Sequence, residues 1–290
     1  MFNEYSFALC LTHDVDRPYE TFQPPYYALR HRDPSRLKSL FTAENPYWQF
    51  DAIMKLEDNL GVRSSFYFLN EQRLLEDRPP TEWIDPQSWK LYAGRYDVSD
   101  PEIADVISLL DDGGWEIGLH GSYHSYDDRE RLREEKQQLE EVLGGVVIGG
   151  RQHYLNLNRP ETWRHHREIG LRYDATLGST STYGFEYGYE PIRPFDDEFL
   201  VFPLTVMDVT LFDDRSYEAA RDACVDLLWE AKDHAAVMTV VWHPKTFNET
   251  DFPGFRDLYI EMIRIADDLG AWIGPCRDLY ELLTTDRFER

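Results

Sequence analysis

Cysteine is scarce in this sequence and scattered: Cys10, Cys224 and Cys276 are the only three in 290 residues, and no C-x-x-C pair occurs. That argues against both a disulfide framework and a zinc ribbon. Lysine is scarcer than arginine, with Lys38, Lys55, Lys90, Lys136, Lys232 and Lys245 the whole set. The chain sets 54 acidic residues against 30 basic ones, for a formal net charge of −24. A field of that sign disfavours nucleic acid and anionic membrane surfaces as partners. A carboxylate-rich, lysine-poor surface stays hydrated in concentrated salt, where self-repulsion is screened, so a halophilic source is expected. The plainer reading, carboxylates that are simply solvated, overlaps with it. No apolar window approaches the roughly 20 residues of a membrane span. The N-terminus lacks a basic region, and its apolar run is short for a signal peptide. A reducing cytoplasm is the expected setting. Neither repeats nor low-complexity tracts occur.

What the chain does have is short apolar runs alternating with segments of helical period, the pattern of βα units around a parallel sheet. Strands are predicted at 6–12, 63–69, 115–120, 145–151, 170–177, 199–207, 236–243 and 271–274. Helices are predicted at 47–60, ending at a Gly61 C-cap, and at 100–112, opening on Asp100-Pro101. Further helices fall at 127–143, 160–169, 216–234, 255–269 and 275–284. The stretches 17–46 and 70–99, rich in Pro, Tyr and Trp, read as loop insertions that pack over a site. One α/β barrel-like domain over 1–290 is expected, with an open doubly wound sheet as the alternative; oligomeric state is not readable.

Unusual polar residues fall at the predicted strand ends. Asp14 and Asp16 close ALCLTHDVD, His120 closes WEIGLH with His124 four residues on, and Arg151 and Tyr154 stand in RQHYLNL. Asp208 follows FLVFPLTVM and His243 ends AVMTVVWH. In parallel α/β folds these C-terminal ends share the face where ligands bind. Singly, each has a tame explanation: a chance histidine pair, a turn signal, a surface ion pair, a hydrogen-bonded core histidine. Together they supply two imidazoles and a carboxylate for a catalytic metal, a second carboxylate as base and a histidine as acid. Tyr123, Tyr154, Trp163 and Trp242 suit stacking on sugar faces, though core packing explains a tryptophan equally well.

LTHDVD, HGSYH, RQHYLNL and VVWHP, in that order, resemble the polysaccharide deacetylase superfamily (NodB homology, carbohydrate esterase family 4). The likeness is nearest to its T-H-D-V-D intracellular branch and runs from about residue 9 to 275. It implies a distorted (β/α)7 barrel and metal-dependent removal of an acetyl group from an N-acetylated sugar or glycan. Asp14 matches the base, and Asp16, His120 and His124 match the metal triad, most often zinc, with cobalt, manganese or nickel as other ions. Arg151 matches the arginine paired with the base, Tyr154 the residue whose N–H meets the oxyanion, and His243 the acid. Two departures stand out. His153 replaces the proline of R-x-P-Y, and the aspartate that orients the acid is either Asp208 or, second, Asp174. His13 reads as a neighbour that shapes the site. The rival functions are an amidase or deformylase acting on a non-carbohydrate amide, and an inactive glycan-binding homologue.

Overall fold

In the computed structural model, residues 4–21, 23–32, 34, 45–213 and 215–285 are described. At its centre is strand β1 (Phe7–Val15), buried along its whole length. It is paired in parallel with β2 (Ser65–Leu69), β8 (Val237–Val241) and β9 (Ala271–Gly274). β9 lies along its first half, from Phe7 to Cys10, and β2 along its second, from Thr12 to Val15. The sheet continues from β2 through β3 (Glu116–Gly121), β4 (Gly149–Gln152), β5 (Tyr173–Asp174) and β6 (Leu200–Val201), and from β8 to β7 (Leu204–Met207).

The order β6-β5-β4-β3-β2-β1-β8-β7 winds in one direction. Right-handed crossovers in such an order all place their helices on the same outer face. A doubly wound sheet reverses and covers both faces, so the barrel-like alternative is the one observed. The run 199–207 is two strands, because Pro203 has no N–H to give the ladder. Only Phe202 and Pro203 separate β6 from β7, the two ends of the hydrogen-bonded order, and the sheet curls until those ends meet.

Period two along β1 sorts its residues between the two faces. Phe7, Leu9 and Leu11 face outward into a core with Phe50 and Ile53 of α2 (Phe50–Leu60) and Met262 of α9 (Phe255–Asp268). Ala8 and Cys10 face inward with Tyr67, Tyr173, Phe202 and Leu279 of α10 (Cys276–Thr285). Gly118 and Gly149 make room for the inner tyrosines: a Cβ at Gly149 would lie 1.9 Å from the Tyr173 ring, and one at Gly118 2.4 Å from that of Tyr67. The two hydroxyls meet at 3.1 Å, and Tyr173 donates to Glu116 at 2.6 Å.

The outer helices include α4 (Pro101–Asp112), α5 (Arg129–Leu143), α6 (Glu161–Glu168) and α8 (Tyr217–Asp233), close to their predicted bounds. Gly61 closes α2 at φ 69, as its C-cap reading requires. Asp100 stands at the N-cap of α4, but its carboxylate accepts from Asp97 N instead of capping the helix. The two insertions contain helices as well as loops: α1 (Gln23–His31) and α3 (Pro86–Tyr92). Residues 35–44 of the first insertion lie outside the described residues. Among the described residues no helix is long and apolar enough to cross a membrane.

Candidate active site

The inward face of β1 continues past Cys10 through Thr12 and Asp14 to Asp16 just beyond the strand. Two-residue spacing therefore aims both aspartates at the barrel mouth, while His13 points the other way. His13 is fully buried, donates from Nδ1 to the Trp242 carbonyl at 2.6 Å and meets Glu57 Oε1 at 3.0 Å through Nε2. Glu57 also accepts from Tyr259, Ser64 and Trp115, so this buried carboxylate is fully partnered. The network holds β1 against α2 and keeps His13 out of the cleft.

Arg151 on β4 comes up beneath Asp14. Its Nη1 donates to Asp14 Oδ1 at 2.6 Å and to Thr12 at 2.9 Å, its Nε to the Ala175 carbonyl at 2.8 Å, and its guanidinium lies 5.0 Å over the Tyr67 ring. With 1 % of its surface exposed, the arginine is locked, and so is the carboxylate it holds.

His120 is the register partner of Arg151 on the adjacent strand and donates from Nδ1 to its carbonyl at 2.9 Å. That bond leaves the Nε2 lone pair facing Asp16 Oδ1 at 3.1 Å. Two lone pairs so placed favour a cation between them, and an imidazole fixed by its other nitrogen is the usual form of a metal ligand. The third donor is His153, whose Nε2 is 3.7 Å from Asp16 Oδ1. Burial, first, then Arg95, His120 and Arg17 push the His153 imidazolium well down while Asp16 opposes them, so the ring is held neutral. Its Nδ1 faces Glu71 at 4.0 Å, and its Nε2 accepts a long 3.3 Å contact from Arg95. Asp16, His120 and His153 present one ligand atom each within 4.8 Å of one another, an O,N,N set that fits a divalent ion.

The structure brings His153, and not the expected His124, to this donor set. His124 is exposed and edge-on to Tyr123 at 4.9 Å, outside the cluster. An H-x-x-x-H pair converges only on a helical turn, whereas the chain stays extended through Gly121 and its 3-10 turn starts at Ser125. Ser122 is instead tied to Glu135 of α5 through its N–H and hydroxyl. His153 arrives two residues after Arg151, on the same inward face, and meets the His120 ring at 5.2 Å.

His243 follows β8, and Asp208 opens the short helix α7 (Asp208–Leu211) after the adjacent β7. Asp208 accepts from His243 Nδ1 at 2.8 Å, from its backbone N at 2.7 Å and from the Thr246 hydroxyl at 2.9 Å. Burial opposes the imidazolium, but the Asp208 carboxylate overrides it, and the His243 pKa lies above its ordinary value. His243 Nε2 faces inward, 3.9 Å from Asp16 Oδ2. Asp174 lies elsewhere, accepting from Trp163 at 2.9 Å and facing His166 at 3.3 Å.

Asp14, Asp16, His120, His153 and His243 line a cleft of about 410 Å³, with Tyr154 on its wall in the left-handed backbone region at φ 59. The two tryptophans do not reach it. Trp242 is 0 % exposed against Tyr259, because the indole at the end of β8 turns outward under α9. Trp163 is buried with Leu177, Phe199 and Val201. Four cationic residues of the cleft, Arg17, Lys90, Arg95 and Lys245, lie within the two predicted insertions or beside a motif and carry no spacing signature of their own.

The curled parallel sheet with this cleft at its C-terminal mouth is the distorted (β/α)7 barrel of the polysaccharide deacetylase type. Among solved structures, a protein from Mycobacterium smegmatis designated a polysaccharide deacetylase matches 99 % of this chain and 93 % of its own, at 17 % identity and TM-score 0.63. PuuE allantoinase matches 97 % and 91 %, at 16 % identity and TM-score 0.58. A carbohydrate esterase family 4 pseudoenzyme from Bacillus anthracis matches 96 % and 66 %, at 13 % identity and TM-score 0.51. No protein-family model and no curated protein matches the sequence.

Proposed function

We propose that the protein is a metal-dependent hydrolase that removes the acetyl group from an N-acetylated sugar or sugar conjugate. The observation that carries this reading is the coexistence, in one cleft, of a buried carboxylate held by Arg151, an acid-orienting Asp208–His243 pair and an O,N,N donor set between them. A glycan-binding protein has no use for both a base and an acid. The designations of the fold neighbours, deacetylase and allantoinase, share amide hydrolysis and support the same reaction class.

Asp16, His120 and His153 would hold the ion, zinc being the commonest for such a set; when bound it supplies Lewis-acid polarisation of the amide carbonyl and acidifies water. The remaining chemistry belongs to the chain. Asp14 takes one proton from the attacking water as the C–O bond forms, and Arg151 keeps its carboxylate aimed. The Tyr154 N–H donates to the developing oxyanion, a contact of the kind worth about 3–4 kcal/mol. His243, held by Asp208, gives a proton to the departing nitrogen as the C–N bond breaks.

Acetate release from N-acetylglucosamine oligomers and nucleotide-linked N-acetyl sugars, with metal content measured in parallel, tests the proposal. Asp14→Asn is expected to cut turnover by about 10²–10⁴-fold while metal content stays the same. Unchanged turnover in that variant would sink the assigned base. Release of formate from N-formyl sugars or of ammonia from primary amides, with no acetate from the N-acetyl substrates, would move the protein to the amidase alternative.

A further inference from the structure

The charge of the cleft runs against the charge of the chain. With 54 acidic residues to 30 basic ones and only six lysines overall, the protein still places Arg17, Lys90, Arg95 and Lys245 around one opening. Among the described residues the carboxylates lining that opening are Asp14 and Asp16. Asp14 is already answered from below by Arg151 at 2.6 Å, so Asp16 is the remaining carboxylate of this lining.

Elsewhere on the molecule arginines sit against carboxylates, as in Arg63–Asp58 at 2.7 Å, Arg78–Glu82 at 2.8 Å and Arg221–Glu261 at 2.6 Å. Arg95, Lys245 and Lys90 in the cleft are partnered differently. Arg95, 8 % exposed, donates to the carbonyls of Leu91 and Asp16 at 2.6 and 3.0 Å and to His153 at 3.3 Å, all neutral acceptors. The Lys245 ammonium, half-buried on the turn after His243, forms no hydrogen bond or ion pair among the described residues, although the residue's carbonyl accepts from Asn248 N at 3.2 Å. Lys90 stands 5.4 Å over the Tyr154 ring, and its carbonyl accepts from Arg17 at 2.8 Å.

Pinning the two insertions together accounts for the backbone contacts of Arg17 and Arg95, but not for Lys245 or Lys90. Holding these charges together also has a cost. Like charges gathered in a cleft are kept where an oppositely charged ligand offsets their repulsion.

We propose that the substrate carries an anionic group, a phosphate ester or a carboxylate, close to the amide that is cut, and that Lys245 and Arg95 bind it, with Lys90 at the rim. This rests on the hydrolase reading and narrows it to acidic sugars or sugar phosphates.

The experiment is calorimetric binding of three probes to the full chain at fixed ionic strength: N-acetylglucosamine, its 1-phosphate and N-acetylglucosaminuronic acid. At least one anionic probe is expected to bind about tenfold or more tightly than the neutral sugar, with the preference shrinking as salt is added. Which of the two does so distinguishes phosphate from carboxylate. Lys245→Gln is expected to reduce the preference about tenfold; Lys90→Gln, an exposed position where folding is not at issue, should reduce it by a smaller factor. Equal binding of all three probes, no binding of any, or an undiminished preference in both variants overturns the proposal. Acetate release from the same probes is scored separately. Release without charge preference defeats the anion site and spares the hydrolase, whereas charge-selective binding without release from any probe does the reverse.

Discussion

Removing one histidine from the donor set and another from the motif should separate two ligand assignments that share Asp16 and His120. In His153→Ala the set loses a neutral imidazole whose Nε2 lies 3.7 Å from Asp16. In His124→Ala an exposed ring touching Tyr123 is lost. Structural zinc sites with four ligands are worth about 10–16 kcal/mol, or about 2.5–4 kcal/mol per donor. Loss of His153 is therefore expected to weaken metal binding by about 10²–10³-fold. His124→Ala should leave affinity within about twofold and stability within about 0.5 kcal/mol, as for most surface changes. Competition titration with a chelator, followed by elemental analysis of the desalted protein, reads both. Because His153 is buried, His153→Gln serves as a volume-preserving companion, and unfolding of the metal-free variants shows whether they fold. If His124→Ala loses the ion while His153→Ala keeps it, the geometric assignment is refuted, and the extended path of the chain after His120 with it.

Asp208→Asn keeps the shape of a buried side chain but removes the charge that holds His243. Burial opposes ionisation of this carboxyl, yet His243 and the hydrogen bonds around it keep its pKa below the usual range. A depressed pKa contributes stability above the unfolded value of about 3.9 and loses it as pH falls through the folded one. The variant should be about 2–3 kcal/mol less stable at neutral pH, with the gap closing below about pH 3.9, and kcat should fall at least about tenfold at unchanged metal content. A gap independent of pH in denaturant unfolding would contradict this. Glu135 shows the opposite sign: burial pushes its carboxyl up to about 8, although the Ser122 hydroxyl and N–H pull it down. Its folded pKa exceeds the unfolded one, so its contribution to stability declines from about pH 4.3 to pH 8. Glu135→Gln, able to keep both contacts to Ser122, should gain about 1–2 kcal/mol at pH 8 relative to its effect at pH 4. Equal destabilisation at both pH values would show that the group is ionised throughout.

The features that sequence reading recovered are those with a short period. Alternation of apolar runs and helical segments located the long strands and the seven outer and terminal helices, because each buries one face or both. Period two along β1 puts Asp14 on one face and His13 on the other, a sorting that the D-x-D spacing already contains. H-x-x-x-H misled because its meaning depends on backbone conformation: in a helical turn the rings converge, in an extended chain they do not. The R-Q-H-Y departure held the missing signal, with His153 two residues beyond a strand residue assigned to the cleft. The tryptophans were ambiguous for a related reason, since an indole at a strand end reads the same whether it points to the mouth or under a helix. Helix α3 had its signature in plain view: Asp85 caps it, accepting from Gln87 and Ser88, and Pro86 fills the first turn. Its aromatic surroundings masked that signal. The cation ring belongs to no local pattern, because Arg17, Lys90, Arg95 and Lys245 come together only through the fold.

Strand β1 also constrains how the protein is made. It pairs on one side with β8 and, along its first half, with β9, so that Phe7 meets Ala271 and Thr12 meets Val241. During vectorial synthesis those edges stay unfilled until residues 237–274 have left the ribosome, while β2 is at hand early. Pairings that span most of a sequence close slowly, because the loop entropy is spent before the contacts repay it. An exposed apolar edge is meanwhile open to intermolecular pairing. Among the strands of this sheet, the one bearing Asp14 is thus translated first and completed with the last of them. Slowed elongation through α8 and β8, or a holdase bound to nascent β1, should therefore affect the yield of folded protein more than the same intervention at α4 or α5.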